Sequence, residues 1–326
     1  MFYISGTGKA IPSQVVTNDD LAEYLDTNDE WITTRTGIKQ RRIINGNGEN
    51  TATLAIHAGE QAIKNAKLET SEIDCVIVAT ASPVQPIPST ANLVAQALGI
   101  SGPAFDVNAA CSGFVYSLAI AGGFFAQNMF KNILLIGADA LSTFVDKNDR
   151  STVILFGDGA GAVVLSATND KDAGLLSVEL GGDSSLVSIL EVQNKDDVQI
   201  DEQTMSFLKM NGQEVFKVAV RSVEKSITSV LEKANLKGSQ IDWLLLHQAN
   251  VRIIDAICDR LDIDREKAIT NIDKYGNTSA ASIPILLAEV AEENRFKDKD
   301  LIAFCGFGAG MTWGSAILRW IECNEK

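Results

Sequence analysis

The chain has 326 residues, 46% of them hydrophobic, and a formal net charge of −14 at pH 7. This length and apolar content predict a globular protein with a large core and exclude an intrinsically disordered chain. The negative charge argues against nucleic-acid binding, which needs a broad cationic surface.

Helical and strand-like periods alternate along the chain, which predicts an α/β architecture with helices covering the sheet faces. Residues 183–211 show weak periodicity and are interpreted as a long excursion, either a lid or a subunit contact. The clearest predicted helices are 50–66, 89–98, 111–129, 213–235, 250–261 and 279–293. The clearest predicted strands are 73–80, 132–138, 160–167, 241–246, 301–305 and 314–321.

Two parts of the chain follow one plan, which indicates an internal repeat. AKLETSEIDCVIV (66–78) and ANLKGSQIDWLLL (234–246) share Ala, Leu, Ser, Ile and Asp at a constant offset. Later, NILLIGAD and FGDGAGAVVL in the first part correspond to DLIAFCG and FGAGMTWGSAIL in the second. Chance similarity of short apolar strands is the alternative, but three matches in the same order favour the repeat. We therefore predict two similar halves, 1–170 and 171–326, joined near the polar stretch 168–174.

Cysteine usage and hydropathy predict a cytoplasmic protein without a metal site or membrane contact. The N-terminus lacks the charged and apolar blocks of a signal peptide. The longest uncharged stretch, 107–130, contains several polar residues and glycines, which favours a buried helix over a membrane span. The cysteines are widely spaced and match neither a metal-ligand pattern nor a disulfide framework: Cys75, Cys111, Cys258, Cys305 and Cys323.

Cys111, in DVNAACSGFVYSL (106–118), lies where a strand-like run turns into a helix. The free amides and dipole of a helix start favour a thiolate, and the backbone N–H of Cys111 could meet a substrate oxyanion. The alternative is inert packing, the usual role of a cysteine in an apolar stretch. A reactive role therefore needs a partner elsewhere in the sequence.

The candidate partners are few, because the chain has only two histidines. His57 lies in an amphipathic helix pattern and is interpreted as structural. His247 follows the apolar strand DWLLL, at the strand end where ligand sites form in α/β proteins. In KYGNTSAAS, Asn277 either caps the next helix or donates a hydrogen bond to a carbonyl oxygen that becomes negative. The glycines of FGAGMTWG (307–314) let backbone amides approach a ligand, although the motif leads into a strand and is weak evidence for a nucleotide.

Together these motifs resemble one enzyme family. AACSGF, HQANVRI, YGNTSAAS and GFGAGMTWG, in this order and at these separations, are similar to β-ketoacyl-acyl carrier protein synthase III, a thiolase-fold condensing enzyme. The resemblance covers nearly the whole chain and includes 26–42, 149–165 and 212–220. It implies two pseudo-symmetric α/β halves in a layered α-β-α-β-α core that buries the nucleophile on a central helix.

The resemblance implies a decarboxylative condensation of a short acyl-CoA with malonyl-acyl carrier protein, which initiates type II fatty acid synthesis. Cys111 would carry the acyl group, while His247 and Asn277 would hold the malonyl thioester carbonyl. The backbone N–H groups of Cys111 and Ala309 would form the oxyanion hole. The family needs no metal or redox cofactor, since acyl-CoA is a substrate, and it implies a homodimer.

The resemblance also assigns contacts to substrate and carrier protein. Matches to Trp31 and Arg150 sandwich the adenine of coenzyme A, and matches to Thr27 and Arg35 contact the nucleotide. Ile87 lies where several relatives carry a phenylalanine that floors the acyl pocket across the dimer, so it leaves room for a longer or branched primer. The full set predicted to bind substrate is Thr27, Trp31, Arg35, Ile87, Arg150 and Phe307. The set predicted to dock the carrier protein is Lys217, Arg221, Arg252 and Arg260.

Two departures from the family pattern and two other functions remain open. Residues 183–209 lack the Pro-Gly-Gly-Ser type loop of relatives, and Asp259 stands where some relatives are basic. One alternative is a related condensing enzyme of secondary metabolism, making a β-keto thioester or a quinolone-like product. The other is a non-catalytic scaffold that binds the carrier protein, which the intact Cys111, His247 and Asn277 argue against.

Overall fold

A computed structural model describes residues 1–192 and 207–322. The strands are β1 Phe2–Ala10, β2 Gln14–Thr17, β3 Gln40–Ile43, β4 Cys75–Ala79, β5 Ala104–Val107, β6 Asn132–Ala140, β7 Asp158–Ala167, β8 Gly174–Gly182, β9 Leu190–Val192, β10 Leu208–Met210, β11 Trp243–Leu246, β12 Leu301–Gly308 and β13 Thr312–Arg319. The α-helices are α1 Asn18–Ala22, α2 Asp29–Thr36, α3 Thr51–Asn65, α4 Thr90–Leu98, α5 Gly113–Ala126, α6 Arg150–Val153, α7 Gly212–Lys233, α8 Val251–Leu261, α9 Ile272–Tyr275 and α10 Ser282–Glu292.

Two sheets with the same strand order form the framework. The first runs β1-β7-β6-β4-β5, and the second runs β8-β13-β12-β11, so that only β5 lacks a counterpart. In both sheets the last two equivalent strands, β6 with β4 and β12 with β11, are parallel, and the equivalent neighbours before them are antiparallel. The extra strand β5 also pairs parallel with β4. This equivalence is the structural form of the repeat seen in the sequence, and it confirms the predicted fold class.

The helices complete a five-layered core. α3 and α4 pack on the outer face of the first sheet, α7 and α8 pack on the outer face of the second, and α5 and α10 lie between the sheets. Leu118 of α5 and Leu287 of α10 share one core with Leu135 of the first sheet and Phe304 of the second. Because sheets cover both of its sides, α5 is apolar around most of its circumference. None of the helices in the described part of the chain combines the length and hydropathy that a membrane crossing requires.

The structure differs from the predicted elements mainly at glycine-containing strands and helix starts. β1 was missed because Gly6 and Gly8 interrupt its apolar pattern. A Cβ at Gly6 would lie 2.3 Å from the carbonyl oxygen of Ala62, so the α3 backbone packs directly on this strand. The predicted helix 111–129 begins instead as a 3-10 turn, Ala110–Ser112, and becomes α-helical at Gly113.

The segment 183–211 is only partly described. Residues 184–189 form a 3-10 helix, and β9 pairs antiparallel with β10, so that Leu190 faces Met210. Residues 193–206, on which most of the lid or subunit-contact interpretation depends, lie outside the described residues, as does Cys323. The four described cysteines are all buried and free.

Candidate active site

Three residues from separate parts of the chain meet in one cavity between the two halves. Cys111 lies in the 3-10 turn before α5, His247 follows β11, and Asn277 follows α9. A cavity of about 130 Å³ is lined by all three, together with Phe307 and Gly308 of β12. The structure thus brings the predicted nucleophile and its two predicted partners together, and each of them is buried.

Glycines in β12 allow this strand to approach the nucleophile. A Cβ at Gly308 would lie 2.6 Å from the backbone nitrogen of Cys111, and one at Gly306 would lie 2.9 Å from the Cα of Ser112. Both separations are too short for any side chain, so glycine is required by the close approach. Ala309, whose backbone N–H is predicted to belong to the oxyanion hole, is the next residue after this close approach.

The Cys111 thiol is a neutral group before reaction. Burial raises the pKa of Cys111 to about 12, and the hydrogen bond with Ser279 opposes this rise only in part. The Ser279 hydroxyl lies 3.3 Å from the Cys111 sulfur. Ser279 itself and Ala110, the residue before Cys111, have φ values of +52° and +46°, a left-handed conformation that is strained for residues with side chains. The helix start therefore does not hold a thiolate at rest, because the cost of burying the charge outweighs it.

The imidazole of His247 is also neutral. Burial lowers the pKa of His247 to about 3, so the ring carries a single N–H at neutral pH. Its Nδ1 lies 2.7 Å from the Ser282 hydroxyl oxygen, which leaves Nε2 as the nitrogen available to a ligand. The Phe307 ring packs edge-to-face against the imidazole, with centroids 5.3 Å apart, and helps to keep water away.

The Asn277 carboxamide has one occupied end and one available end. Its Oδ1 accepts a hydrogen bond from the Ser279 backbone N–H at 2.9 Å. The Asn277 backbone is held on both sides, because its N–H donates to Leu155 O at 2.8 Å and its carbonyl accepts from Gly157 N at 3.0 Å. The NH₂ group makes no hydrogen bond to any of the described residues, so within them it is available to donate to a ligand.

Sequence reasoning did not identify Asp139, Ser279 and Ser282. Asp139, near the end of β6, is fully buried and accepts a hydrogen bond from the Ala280 backbone N–H at 3.2 Å. It also accepts hydrogen bonds from the backbone N–H groups of Ala81 and Ser82, which follow β4. Burial raises the pKa of the Asp139 carboxyl, and hydrogen bonds, the one from Ser279 foremost, oppose that rise. The only sequence signals were a charged residue closing the apolar run NILLIGAD and the two serines in KYGNTSAAS.

An open cleft adjoins the catalytic cavity at its mouth. The guanidinium groups of Arg35 and Arg150 lie 4.4 Å and 4.7 Å from the centroid of the Trp31 ring. The cleft, of about 800 Å³, is lined by Trp31 and Arg35, and it shares Asn250 and Met210 with the catalytic cavity. Trp31 and Arg35 therefore lie on a surface that continues to the catalytic cavity, and Arg150 meets that surface through its contact with the Trp31 ring.

Two of the predicted substrate-binding residues lie away from these cavities. Ile87 is 85% exposed and lines neither of them. Thr27 lies four residues before Trp31, and its buried hydroxyl has no hydrogen-bond partner among the described residues. Ile87 therefore does not line the catalytic cavity of its own chain.

The four predicted docking residues differ in their surroundings. Lys217 and Arg252 line one cleft with Phe216, beside the mouth of the catalytic cavity. Lys217 also pairs with Glu214 at 2.9 Å, a contact between neighbours on the exposed face of α7. Arg260 likewise pairs with Glu224 at 2.6 Å on the surface, and Arg221 is exposed on α7.

A buried thiol, a neutral imidazole and a carboxamide at the junction of two similar layered halves define a condensing acyltransferase with a thiolase-like fold. The family model described as 3-Oxoacyl-[acyl-carrier-protein (ACP)] synthase III matches residues 105–184, and the model of its C-terminal part matches 231–320. The chain therefore belongs to the 3-oxoacyl-[acyl-carrier-protein] synthase III family.

Individual relatives agree with this assignment over almost the full length. The Beta-ketoacyl-[acyl-carrier-protein] synthase III of Aquifex aeolicus is 47% identical over 319 residues, covering 97% of this chain and 99% of the relative. The crystal structure of the Aquifex aeolicus enzyme matches with a TM-score of 0.92, covering 98% of this chain and 100% of that one at 46% identity. The priming β-ketosynthase of the R1128 polyketide pathway matches with a TM-score of 0.94 at 30% identity, covering 99% and 97%.

Proposed function

We propose that this chain condenses a short acyl-CoA with malonyl-acyl carrier protein, with loss of carbon dioxide, to give β-ketoacyl-acyl carrier protein and initiate type II fatty acid synthesis. The observation that carries the proposal is the single cavity lined by Cys111, His247 and Asn277. Such a cavity supplies one nucleophile and two neutral donors, which are the groups that the two half-reactions need. Family membership adds independent support.

The first half-reaction transfers the acyl group to the protein. The Cys111 sulfur attacks the thioester carbonyl of acyl-CoA, the bond to the coenzyme sulfur breaks, and the thiol proton passes to the departing coenzyme A thiolate. The oxyanion of the tetrahedral intermediate is met by the backbone N–H groups of Cys111 and Ala309. Each such donor contributes roughly 3 kcal/mol to stabilising the transition state. The acyl-cysteine keeps the thioester energy for the next step.

The second half-reaction forms the carbon–carbon bond. The N–H of His247 and the NH₂ of Asn277 donate to the malonyl thioester oxygen, which becomes an enolate oxygen when carbon dioxide leaves. The enolate carbon attacks the acyl carbonyl on Cys111, and the sulfur leaves as a thiolate that regains a proton from solvent. A neutral imidazole suits this role because it donates one hydrogen bond without exchanging a proton.

The cleft around Trp31 is suited to the nucleotide of coenzyme A. An aromatic ring beside two guanidinium groups provides a stacking surface for adenine and positive charge for phosphates. We expect Arg150→Ala to raise the KM for acetyl-CoA roughly tenfold, the scale of one cation–π or phosphate contact. The KM for acetyl-pantetheine, which lacks the nucleotide, should not change.

Steady-state acylation kinetics with acetyl-CoA and with acetyl-pantetheine check this expectation. Arg295→Ala is the matched control, because Arg295 also lies over a tryptophan, 5.1 Å from the ring centroid, but that tryptophan is Trp243, which does not line the cleft. An equal rise in KM for acetyl-CoA and acetyl-pantetheine would contradict nucleotide binding at Arg150.

We also propose that the protein binds an acidic carrier protein and acts as a homodimer. Lys217 and Arg252 beside the cavity mouth, Arg221 one turn from Lys217 on α7, and Arg260 on α8 would provide a basic surface that suits an acidic carrier protein. In a cytoplasmic homodimer, the exposed Ile87 would reach the acyl pocket of the other copy. Its small size would leave room for a longer or branched primer.

A primer panel tests the function directly. The purified protein is incubated with straight and branched short acyl-CoAs, its mass is measured, and malonyl-acyl carrier protein is then added. We expect an acyl adduct, release of carbon dioxide and a β-ketoacyl-acyl carrier protein product. If the protein stays unmodified with every primer, the result would favour the alternative of a non-catalytic scaffold that binds the carrier protein. A β-keto thioester or quinolone released without carrier protein would favour the secondary-metabolism alternative, which the lower identity to the R1128 enzyme argues against.

A further inference from the structure

One short turn contacts all three residues that line the catalytic cavity. Within residues 279–282, the Ser279 backbone N–H binds the Asn277 side chain at 2.9 Å, and the Ser279 hydroxyl meets the Cys111 sulfur at 3.3 Å. The Ser282 hydroxyl meets Nδ1 of His247 at 2.7 Å. The last contact is the shortest of the three and joins two buried polar groups.

The hydrogen-bond inventory of the Ser282 hydroxyl determines the direction of this contact. A hydroxyl has one hydrogen to donate and two lone pairs that accept. The Gln248 backbone N–H donates to the Ser282 oxygen at 3.4 Å. Among the described residues, the only acceptor in contact with the Ser282 hydroxyl is Nδ1 of His247. The Ser282 hydrogen therefore points to Nδ1, which must be unprotonated.

The opposite arrangement would be costly. If Nδ1 carried the hydrogen and donated to Ser282, the Ser282 hydrogen would have no acceptor, although the side chains of Ser282 and His247 are both only 2% exposed. A buried hydroxyl hydrogen without an acceptor is unfavourable, because the group has lost its hydrogen bonds to water and gained none in the protein. Since the neutral ring has a single N–H, an unprotonated Nδ1 places that hydrogen on Nε2.

The position of Ser282 is itself constrained from both halves of the molecule. Ser282 is the first residue of α10, so its backbone is held by the helix. The preceding turn is tied to the first sheet, because Ala280 N–H donates to the buried Asp139 carboxylate at 3.2 Å. The Ser282 backbone is thus held close to the imidazole by α10 and by this contact between the halves.

We infer that Ser282 is a positioning residue that holds His247 in the Nε2–H tautomer. The tautomer is a property of the free protein, whereas its catalytic consequence rests on the function proposed above. There, the Nε2–H is the hydrogen-bond donor that meets the malonyl thioester oxygen. Without Ser282, the two neutral tautomers of His247 would compete, and only one of them presents an N–H to the substrate.

The tautomer can be observed directly, because the chain contains only two histidines. Protein labelled with ¹⁵N-histidine is studied by long-range ¹H–¹⁵N correlation near neutral pH, and a His57→Gln variant assigns the signals. We expect His247 to show a protonated Nε2 and an unprotonated Nδ1, and Ser282→Ala to lose this single-tautomer pattern. Ser279→Ala, which alters the neighbouring serine, should retain it. An Nδ1–H tautomer in the wild type, or an unchanged pattern in Ser282→Ala, would overturn the inference.

The kinetic counterpart separates this inference from the proposed function. Ser282→Ala should acylate Cys111 at the wild-type rate but release carbon dioxide from malonyl-acyl carrier protein roughly tenfold more slowly, the loss expected for one hydrogen bond. Ser226→Ala removes another buried helical hydroxyl, one without a hydrogen-bond partner among the described residues, and should leave both rates unchanged. Equal slowing of both steps by Ser282→Ala would contradict positioning. A wild-type protein that performs neither step would instead contradict the proposed function and leave the tautomer result standing.

Discussion

Incubation with acetyl-CoA adds one acetyl group to the wild-type protein and none to Cys111→Ser. The difference is expected to be complete on the timescale of the assay, because a serine hydroxyl is a far weaker nucleophile than a thiol unless a base activates it. Among the described residues that line the cavity, His247 is the only candidate base, and burial lowers its pKa to about 3, so its ring accepts a proton only weakly. Mass spectrometry of the intact protein, followed by peptide mapping, measures the adduct and its position.

Cys258→Ala is the matched control for this experiment. Cys258 is buried in α8 but does not line the catalytic cavity, so its loss should leave the acetyl adduct intact. Acetylation that persists in Cys111→Ser would place the nucleophile elsewhere. A wild-type protein that accepts no short acyl group would remove the main support for an enzyme and favour the carrier-binding scaffold.

Replacement of His247 by alanine should separate the two half-reactions. We expect His247→Ala to form the acyl-cysteine normally but to release carbon dioxide from malonyl-acyl carrier protein roughly 10²- to 10³-fold more slowly. This is the usual effect of removing one preorganised donor from a developing oxyanion. The donor is needed only when the enolate forms, which is why acylation should be spared. Adduct mass and carbon dioxide release, measured on the same preparation, give the two rates.

The second histidine of the chain provides the control. His57 is exposed on α3, and His57→Ala should leave acylation and decarboxylation unchanged. If His247→Ala slowed both steps equally, His247 would be activating the Cys111 thiol as a base. That result would disagree with the strongly lowered pKa of the buried imidazole and would require a different first half-reaction.

Much of the fold could be predicted because its elements have strong local patterns. The apolar periodicity of residues 50–66 predicted α3 to within a residue at either end, and the repeat of 66–78 in 234–246 predicted equivalent strands β4 and β11. β5 and β8 were missed, since their packing, rather than their own periodicity, makes them strands. The exact division between residues 170 and 171 stays a prediction, although β7 and β8 lie on either side of it.

The composition of the site was also readable from the sequence. AACSGF, HQANVRI and YGNTSAAS carried the resemblance to the family, which is confirmed, and they named Cys111, His247 and Asn277 as candidates. Their chemical roles stay predictions until the variants are measured. The sequence did not identify Asp139 or Ser282, because the role of a buried carboxylate or of a serine in a helix depends on the groups that it contacts in the folded protein.

The sequence by itself determined the family, the order of the most strongly patterned helices and strands, and which side chains can act as nucleophile and donors, since these depend on residue type and local pattern. Tertiary structure alone decided the protonation of those side chains. The Cys111 thiol is kept neutral by its burial, and the tautomer of His247 is set by Ser282, 35 residues further along the chain. Such properties arise from desolvation and from hydrogen bonds between distant segments, which no local stretch of sequence contains.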